Sequence, residues 1–162
     1  MKTRIFLTLA IVLALVAASG ASTVATAADA EVPFKGTYMM HPKLVGVVDG
    51  CNIQQLPGEG EATHLGLSTW YSDAIACPAT LTQSGDLLLT AANGDQLYGG
   101  FAGSLAFSPD FSSVEFWGEY WIDGGTGRFE GNTGTGIYWG TAQLAAGGGG
   151  EGIIDIEGTL TK

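Results

Sequence analysis

The chain has 162 residues, with sixteen acidic and six basic side chains and a formal net charge of −10. All of the acidic residues but only four of the basic ones lie after position 27, so residues 28–162 carry a net charge of −12. A surface this acidic repels phosphate backbones and anionic lipids, and we therefore predict no nucleic-acid partner. The length of residues 28–162 suits a single domain.

The first 27 residues have the features of an export signal. Lys2 and Arg4 precede an uncharged apolar run of 14 residues over 5–18, and Ala25-Thr26-Ala27 fits the small-residue cleavage pattern. A membrane-spanning helix needs about 20 apolar residues, so this run is too short for a permanent anchor. We predict a signal peptide over 1–27, a secreted or periplasmic protein, and no membrane span after the signal is removed. An uncleaved anchor is the alternative.

The chain contains two cysteines, Cys51 and Cys77. In an oxidising compartment two cysteines usually form one disulfide, and we predict that pair. A zinc site would need further ligands, and only His41 and His64 are available, at no finger-like spacing. The acidic loop residues match no calcium-binding loop. We therefore predict no metal and no cofactor.

Alternating apolar and polar residues, separated by turn signals, predict about eight β-strands and no helix. Asn93-Gly94-Asp95 predicts a tight hairpin turn, Ser108-Pro109-Asp110 predicts a break, and 146–152 predicts a flexible linker. The segments with the clearest alternation are, in chain order, 34–40, 62–71, 87–92, 97–107, 114–122, 136–144 and 153–160.

Short strands without crossover helices form an antiparallel sandwich or barrel. Many glycines lie inside the predicted strands, where they permit the sharp coiling that a small barrel needs to close. A barrel also removes the exposed edges of a sheet. We therefore predict an all-β fold with a single antiparallel closed β-barrel, in preference to a sandwich.

A glycine-rich run follows an aromatic strand at 124–131, with the sequence Gly-Gly-Thr-Gly-Arg-Phe-Glu-Gly. With the Gly-Thr-Gly that follows at 134–136, it resembles dirigent proteins and allene oxide cyclases, and a broad set of exported bacterial proteins. Shorter pieces at 62–66 and 91–95 resemble the bacterial members. The resemblance implies the same barrel, which holds hydrophobic small molecules and in some members directs cyclisation or radical coupling. The catalytic residues of those enzymes match no position here beyond the glycine run, so enzymatic activity does not carry over.

The glycine run also has a structural interpretation. Gly124, Gly125 and Gly127 permit a compact loop that other residues cannot follow. Phe129 can plug the end of a barrel, while Arg128 can bond to loop carbonyls or pair with a carboxylate. Phosphate binding is the alternative, but the run lacks a following helix and a lysine.

The strand around 114–123 carries large residues on both faces. One face is wholly apolar, while the other places Glu115, Trp117, Glu119 and Trp121 in alternation. Exposed surfaces seldom carry two neighbouring tryptophans. This second face can line a ligand cavity, form an oligomer interface, or be a surface stripe covered by loops. The two glutamates lie roughly 13 Å apart along a strand, which does not suit glycoside hydrolysis.

Three functions remain open. In the first, a small and partly apolar ligand binds in or at the barrel, with Trp117, Trp121 and Trp139 stacking on it and Glu115 and Glu119 fixing its polar groups. In the second, the barrel is a cyclase or isomerase of the dirigent-like kind. In the third, it is a non-catalytic module that forms homo-oligomers. His64, on the predicted face of Trp70, is either a general base or a hydrogen-bonded structural residue.

Overall fold

The computed structural model of the protein describes residues 30–147 and 149–162, so the predicted signal peptide lies outside the described residues. That part of the chain forms eleven β-strands and one short 3₁₀ helix, Gly127–Phe129. The strands are β1 (Val32–Met40), β2 (Lys43–Val48), β3 (Cys51–Gln55), β4 (Gly58–Ala62), β5 (Gly66–Tyr71), β6 (Asp73–Cys77), β7 (Thr82–Ala91), β8 (Gln96–Phe107), β9 (Ser113–Gly125), β10 (Thr133–Leu144) and β11 (Gly150–Thr161).

Eight of these strands form a closed antiparallel barrel. The order around the ring is β7-β5-β4-β1-β11-β10-β9-β8, and β8 pairs with β7 to complete it. The predicted all-β antiparallel closed barrel is therefore confirmed. The strands expected over 97–107, 114–122 and 153–160 lie within β8, β9 and β11, and the hairpin turn expected at 93–95 joins β7 to β8.

The remaining strands, β2, β3 and β6, continue three strands of the ring beyond one of its ends. Pro42 separates β1 from β2, Pro57 separates β3 from β4, and Ser72 separates β5 from β6. The pairing of β1 with β11 stops at Met40, and β2 pairs only with β3 among the described strands. At this end, called here the open end, the barrel wall is therefore not continuous between β2 and β11.

The other end of the barrel is plugged by the glycine run. Phe129 is buried there, and the Arg128 guanidinium donates a hydrogen bond of 3.0 Å to the carbonyl oxygen of His64. Gly127 has a φ of +57°, and a Cβ atom at this position would overlap the carboxylate of Asp95. Glycine is therefore required by both the backbone conformation and the lack of space.

Two of the predicted local structures are wrong. The strand expected over 62–71 is interrupted by a turn, in which His64 has a positive φ of 67°. The flexible linker expected over 146–152 is wrong for 150–152, because β11 begins at Gly150, while residue 148 lies outside the described residues. Ala145 N donates to the carbonyl oxygen of Gly149 at 2.9 Å. Glycine is common both in linkers and in tight turns, so composition alone did not separate the two.

Buried tyrosines fill the barrel where neighbouring strands carry glycine. Tyr138 pairs with Gly118, which in turn pairs with Gly103 on the next strand. A Cβ atom on Gly118 would lie 2.7 Å from the Tyr138 hydroxyl oxygen, and one on Gly103 would overlap that oxygen. The two glycines thus leave the space that the phenol ring occupies.

We expect Gly118→Ala to lower the free energy of unfolding by roughly 1–3 kcal/mol, because the added methyl group must displace Tyr138 or the paired backbone. Gly46→Ala is the matched control, since a Cβ atom there meets nothing within 4 Å. Its effect should be neutral or stabilising by less than about 1 kcal/mol. Urea unfolding of both variants measures the difference, and equal effects would contradict the packing described here.

Cys51 and Cys77 form a disulfide, as predicted, and it joins β3 to β6 outside the ring. The closed loop spans a sequence separation of 26 residues. Chain entropy predicts that replacing both cysteines by serine lowers the free energy of unfolding by roughly 2–4 kcal/mol. Denaturant unfolding of the double variant, with and without reductant, checks this value. A loss below about 1 kcal/mol, or a reductant effect in the double variant, would contradict it.

Candidate functional site

The open end of the barrel leads into a cavity of about 260 Å³. Its rim lies between Pro42 and Leu44 on one side and the β10–β11 connection on the other. The lining residues are mostly apolar and are Met40, Pro42, Leu44, Asn52, Gln54, Leu56, Trp70, Ala76, Gln83, Phe101, Leu105, Phe107, Val114, Phe116, Tyr138, Ala142, Gln143, Leu144, Ala145, Gly149 and Ile154. The cavity therefore lies on the barrel axis, at the end opposite to Phe129.

Exposure of the lining falls from the rim to the floor. Leu44 and Leu144 are partly exposed at the rim, whereas Trp70, Phe101 and Tyr138 are buried at the floor. The strand alternation places these residues inward, because every second residue of a strand faces the same side. Within the described residues, the cavity is thus a pocket that is closed at its floor and opens to solvent at its rim.

Small side chains in the wall leave this space free. Ala76 and Ala142 lie among Leu105 and Val114, with Phe107 and Phe116 packed beside them. This group forms a second apolar cluster, separate from the larger core around the floor and the plugged end. Two of the four buried residues in this cluster are alanines, whose side chains do not reach the centre of the barrel. The apolar wall therefore surrounds a volume that side chains do not fill.

Among the described residues, no charged side chain lines the cavity. Its polar groups are amides, one phenol and one indole. The side-chain amide of Gln83 donates a hydrogen bond of 3.0 Å to the Tyr138 hydroxyl oxygen. Burial raises the pKa of Tyr138 to about 12, so the phenol is neutral at physiological pH, although the Gln83 bond acts in the opposite direction. Trp70 Nε1 is buried and has no hydrogen-bond partner within residues 30–147 and 149–162.

The face formed by Glu115, Trp117, Glu119 and Trp121 lies on the outside of the barrel, not in its lumen. The side chains of Trp117 and Trp121 are 47% and 40% exposed. The interpretation that this face lines the barrel cavity is therefore wrong. The wholly apolar opposite face turns inward, because burying carboxylates without partners costs far more than leaving indoles half exposed.

Trp139 lies on the same outer surface and is directly opposite Trp117 on the neighbouring strand. It is 41% exposed and borders a shallow surface depression lined in part by Asp155 and Glu157. Trp121 borders a second shallow depression on the outer surface. The three indoles are thus available to a partner or surface ligand but do not reach the cavity. The interface and surface-stripe interpretations both stay open.

His64 lies in the turn at the plugged end, far from the cavity lining. It is exposed, its Nε2 atom is 3.0 Å from the carbonyl oxygen of Pro33, and its own carbonyl accepts the Arg128 bond. Its expected place beside Trp70 on one strand face is therefore wrong. The reason is the positive φ at His64, which ends the β4–β5 hairpin at this residue.

Sequence reasoning missed the polar part of the cavity. Gln83 lies outside the segments predicted as strands, but it is on β7 with its side chain inside the barrel. Asn52 and Gln54 alternate on β3 and also line the cavity. Polar residues that face inward do not produce the alternation of apolar and polar residues that identifies a strand. The signal that was available is the spacing of two residues between Asn52 and Gln54, which places both on the same face of a strand.

Comparison with known proteins adds no family assignment. No protein-family model matches the chain, and no curated protein matches it. The resemblance to dirigent proteins and allene oxide cyclases therefore remains a prediction from the run at 124–131. Over the described ranges, no three His, Cys, Asp or Glu residues group closely enough to hold a metal ion. That part of the chain also contains no helix long and apolar enough to cross a membrane.

The buried tyrosines predict a loss of stability at alkaline pH. Burial raises the pKa values of Tyr38, Tyr120 and Tyr138 to about 12, above the value near 10 of an unfolded chain. Their contribution to stability is therefore complete below pH 10 and is lost as the pH rises towards 12. Absorbance titration of phenolate, beside unfolding curves at each pH, measures this.

Tyr138→Phe is the control for that titration. It should remove one of the late-ionising phenols without changing the ionisation of the exposed tyrosines. Ionisation of all five tyrosines near pH 10 in the folded protein would contradict the shifts.

Proposed function

We propose that this protein is an exported barrel that binds a small, largely apolar molecule in the cavity at its open end. The observation that carries the proposal is the unfilled, apolar cavity of about 260 Å³ beneath a solvent-facing rim. Protein interiors are normally close-packed, and an unfilled apolar volume forfeits dispersion contacts. Ligand sites are typically concave and apolar, with a few fixed polar groups.

A molecule that entered this cavity would recover the lost contacts. Burial of apolar surface contributes roughly 25 cal/mol per Å², and the rigid strands of the wall need little ordering on binding. The volume equals that of roughly nine water molecules at ~30 Å³ each, which limits the buried part of the ligand to a small molecule. The floor amides, phenol and indole would then fix its orientation.

Membership of the dirigent and allene oxide cyclase group is part of the proposal. The closed barrel agrees with that resemblance, and the Cys51–Cys77 disulfide is compatible with an exported, oxidising location. Tyr138 is the one titratable group among the described lining residues. This favours binding over a cyclase that uses acid–base chemistry.

A second candidate is an oligomerising module that uses the outer surface. Trp117 and Trp139 form a directly opposed, half-exposed pair, and tryptophan is enriched at the centres of interfaces. Light scattering on the protein lacking 1–27 distinguishes the candidates, since the cavity does not require a second copy.

The binding proposal is tested with Trp70 as the sole indole. Replacing Trp117, Trp121 and Trp139 with phenylalanine removes the other three tryptophans of the chain. Titration with isopropylbenzene should then give a saturable change in Trp70 fluorescence, because this indole lies at the cavity floor. No saturable change would contradict the proposal.

Ala142→Phe and Thr141→Phe form a matched pair for the same titration. Ala142 is buried and lines the cavity, whereas its neighbour Thr141 is exposed on the outer face. The first variant should weaken binding at least about tenfold by filling the cavity, and the second should leave it unchanged. Ala142→Leu is a milder filling variant should the first fail to fold. Unchanged binding in either filled variant would contradict the site.

A further inference from the structure

The floor of the cavity contains a buried hydrogen-bond donor without an acceptor. Trp70 is 2% exposed and lines the cavity, and its Nε1 atom has no partner in the described part of the chain. The indole N–H can only donate. A buried donor that stays unpaired costs about 1–3 kcal/mol, so such groups normally find a partner.

The neighbouring polar groups do not supply that partner, because they bond to one another. The Tyr38 ring lies 5.6 Å from the Trp70 ring, but its hydroxyl is 2.9 Å from Ser68 Oγ. Ser68 in turn donates to the carbonyl oxygen of Gly66 at 3.1 Å. Because Trp70 lines the cavity, a molecule bound there can supply the acceptor that the described residues do not.

The phenol of Tyr138 supplies a second donor to the lining, and its hydroxyl lies against Gly103 on β8. Trp70 is on β5 and Tyr138 is on β10, four strands away around the eight-stranded ring in either direction. The Tyr138 oxygen accepts the Gln83 amide, which leaves its own hydrogen free to donate. The lining thus offers one N–H, from Trp70 on β5, and one O–H, from Tyr138 on β10.

The charge of the ligand follows from the lining. A buried carboxylate needs a cationic partner and a buried ammonium needs an anionic one, and the described lining contains neither. The net charge of −12 over residues 28–162 further disfavours an anion. An oxygen acceptor on a neutral molecule meets both requirements, and a carbonyl oxygen can accept two hydrogen bonds.

We infer that the cavity binds an uncharged molecule with a carbonyl-type oxygen, which accepts a hydrogen bond from Trp70 Nε1. The inference rests on the proposed function and names the ligand class of the same site. The oxygen lies at the floor against Trp70. The apolar remainder extends along Leu105 and Phe116 towards the rim.

Three probes of equal size test the inference. Acetophenone carries the carbonyl oxygen. Isopropylbenzene has a methyl group in place of that oxygen, and benzoate has a negatively charged carboxylate in place of the acetyl group. Acetophenone should bind about 3–10-fold more tightly than isopropylbenzene, as one added hydrogen bond allows. Benzoate should bind at least about tenfold more weakly than acetophenone at neutral pH.

The hydrogen bond itself is read by NMR in the variant whose sole tryptophan is Trp70. Its single indole N–H resonance should move downfield on saturation with acetophenone, and by much less with isopropylbenzene. In the otherwise unchanged chain, Trp70→Phe should remove the preference for acetophenone while binding both neutral probes. The readout is the ratio of the acetophenone affinity to the isopropylbenzene affinity. Phenylalanine is smaller than tryptophan and enlarges the cavity for both probes, so this effect cancels in the ratio.

The outcomes separate the inference from the function on which it rests. If none of the probes binds, both fail. If isopropylbenzene and acetophenone bind equally, or the indole resonance moves equally with both, the cavity binds apolar ligands but the inferred acceptor is wrong. Benzoate binding as tightly as acetophenone would overturn the restriction to uncharged ligands. Trp139→Phe is the control, because it changes an outer indole and should preserve the preference.

Discussion

The cavity depends on three strand breaks that lie at one level of the barrel. His41 N donates to the carbonyl oxygen of Pro57 at 2.8 Å, and Leu56 N donates to that of Ser72 at 2.8 Å. The Ser72 hydroxyl donates in turn to the carbonyl oxygen of Asp86 on β7. These bonds keep neighbouring strands together where their ladders stop. Proline cannot donate to a ladder, so the strands change direction at this level instead of continuing the ring.

The two ends of the barrel consequently differ in packing. Towards the glycine run, strands approach closely and Phe129 closes the lumen. Beyond the breaks, β2, β3 and β6 extend past the ring, and no described strand joins β2 to β11. The same barrel therefore has a filled half and a half whose interior is accessible. A fold of this kind can hold a ligand without a moving lid, because access is already present in the strand pairing.

The sequence was sufficient for the fold but not for the site. Alternation identified the inward residues of β8, β9 and β11, because apolar and polar side chains separate cleanly there. It did not identify β2, β3 or β4, because β3 places the amides Asn52 and Gln54 in the lining and β4 alternates glycine with glutamate. The Glu–Trp face was assigned to a cavity because two indoles suggest burial, yet Glu115 and Glu119 on that face require water or a cation. When carboxylates and indoles share a face, the desolvation cost of the carboxylates decides its orientation.

The position of the disulfide has a consequence for the cavity wall. Asn52 and Ala76 pair across β3 and β6, both line the cavity, and each adjoins one of the bridged cysteines. Of these two strands, only β6 pairs with a strand of the ring, β7, so the bracing by the ring reaches β3 only through β6. The Cys51–Cys77 disulfide adds a covalent bond between β3 and β6 at this position. Thiol oxidation therefore joins two strands that line the cavity, so the bridge constrains the cavity wall as well as stabilising the chain.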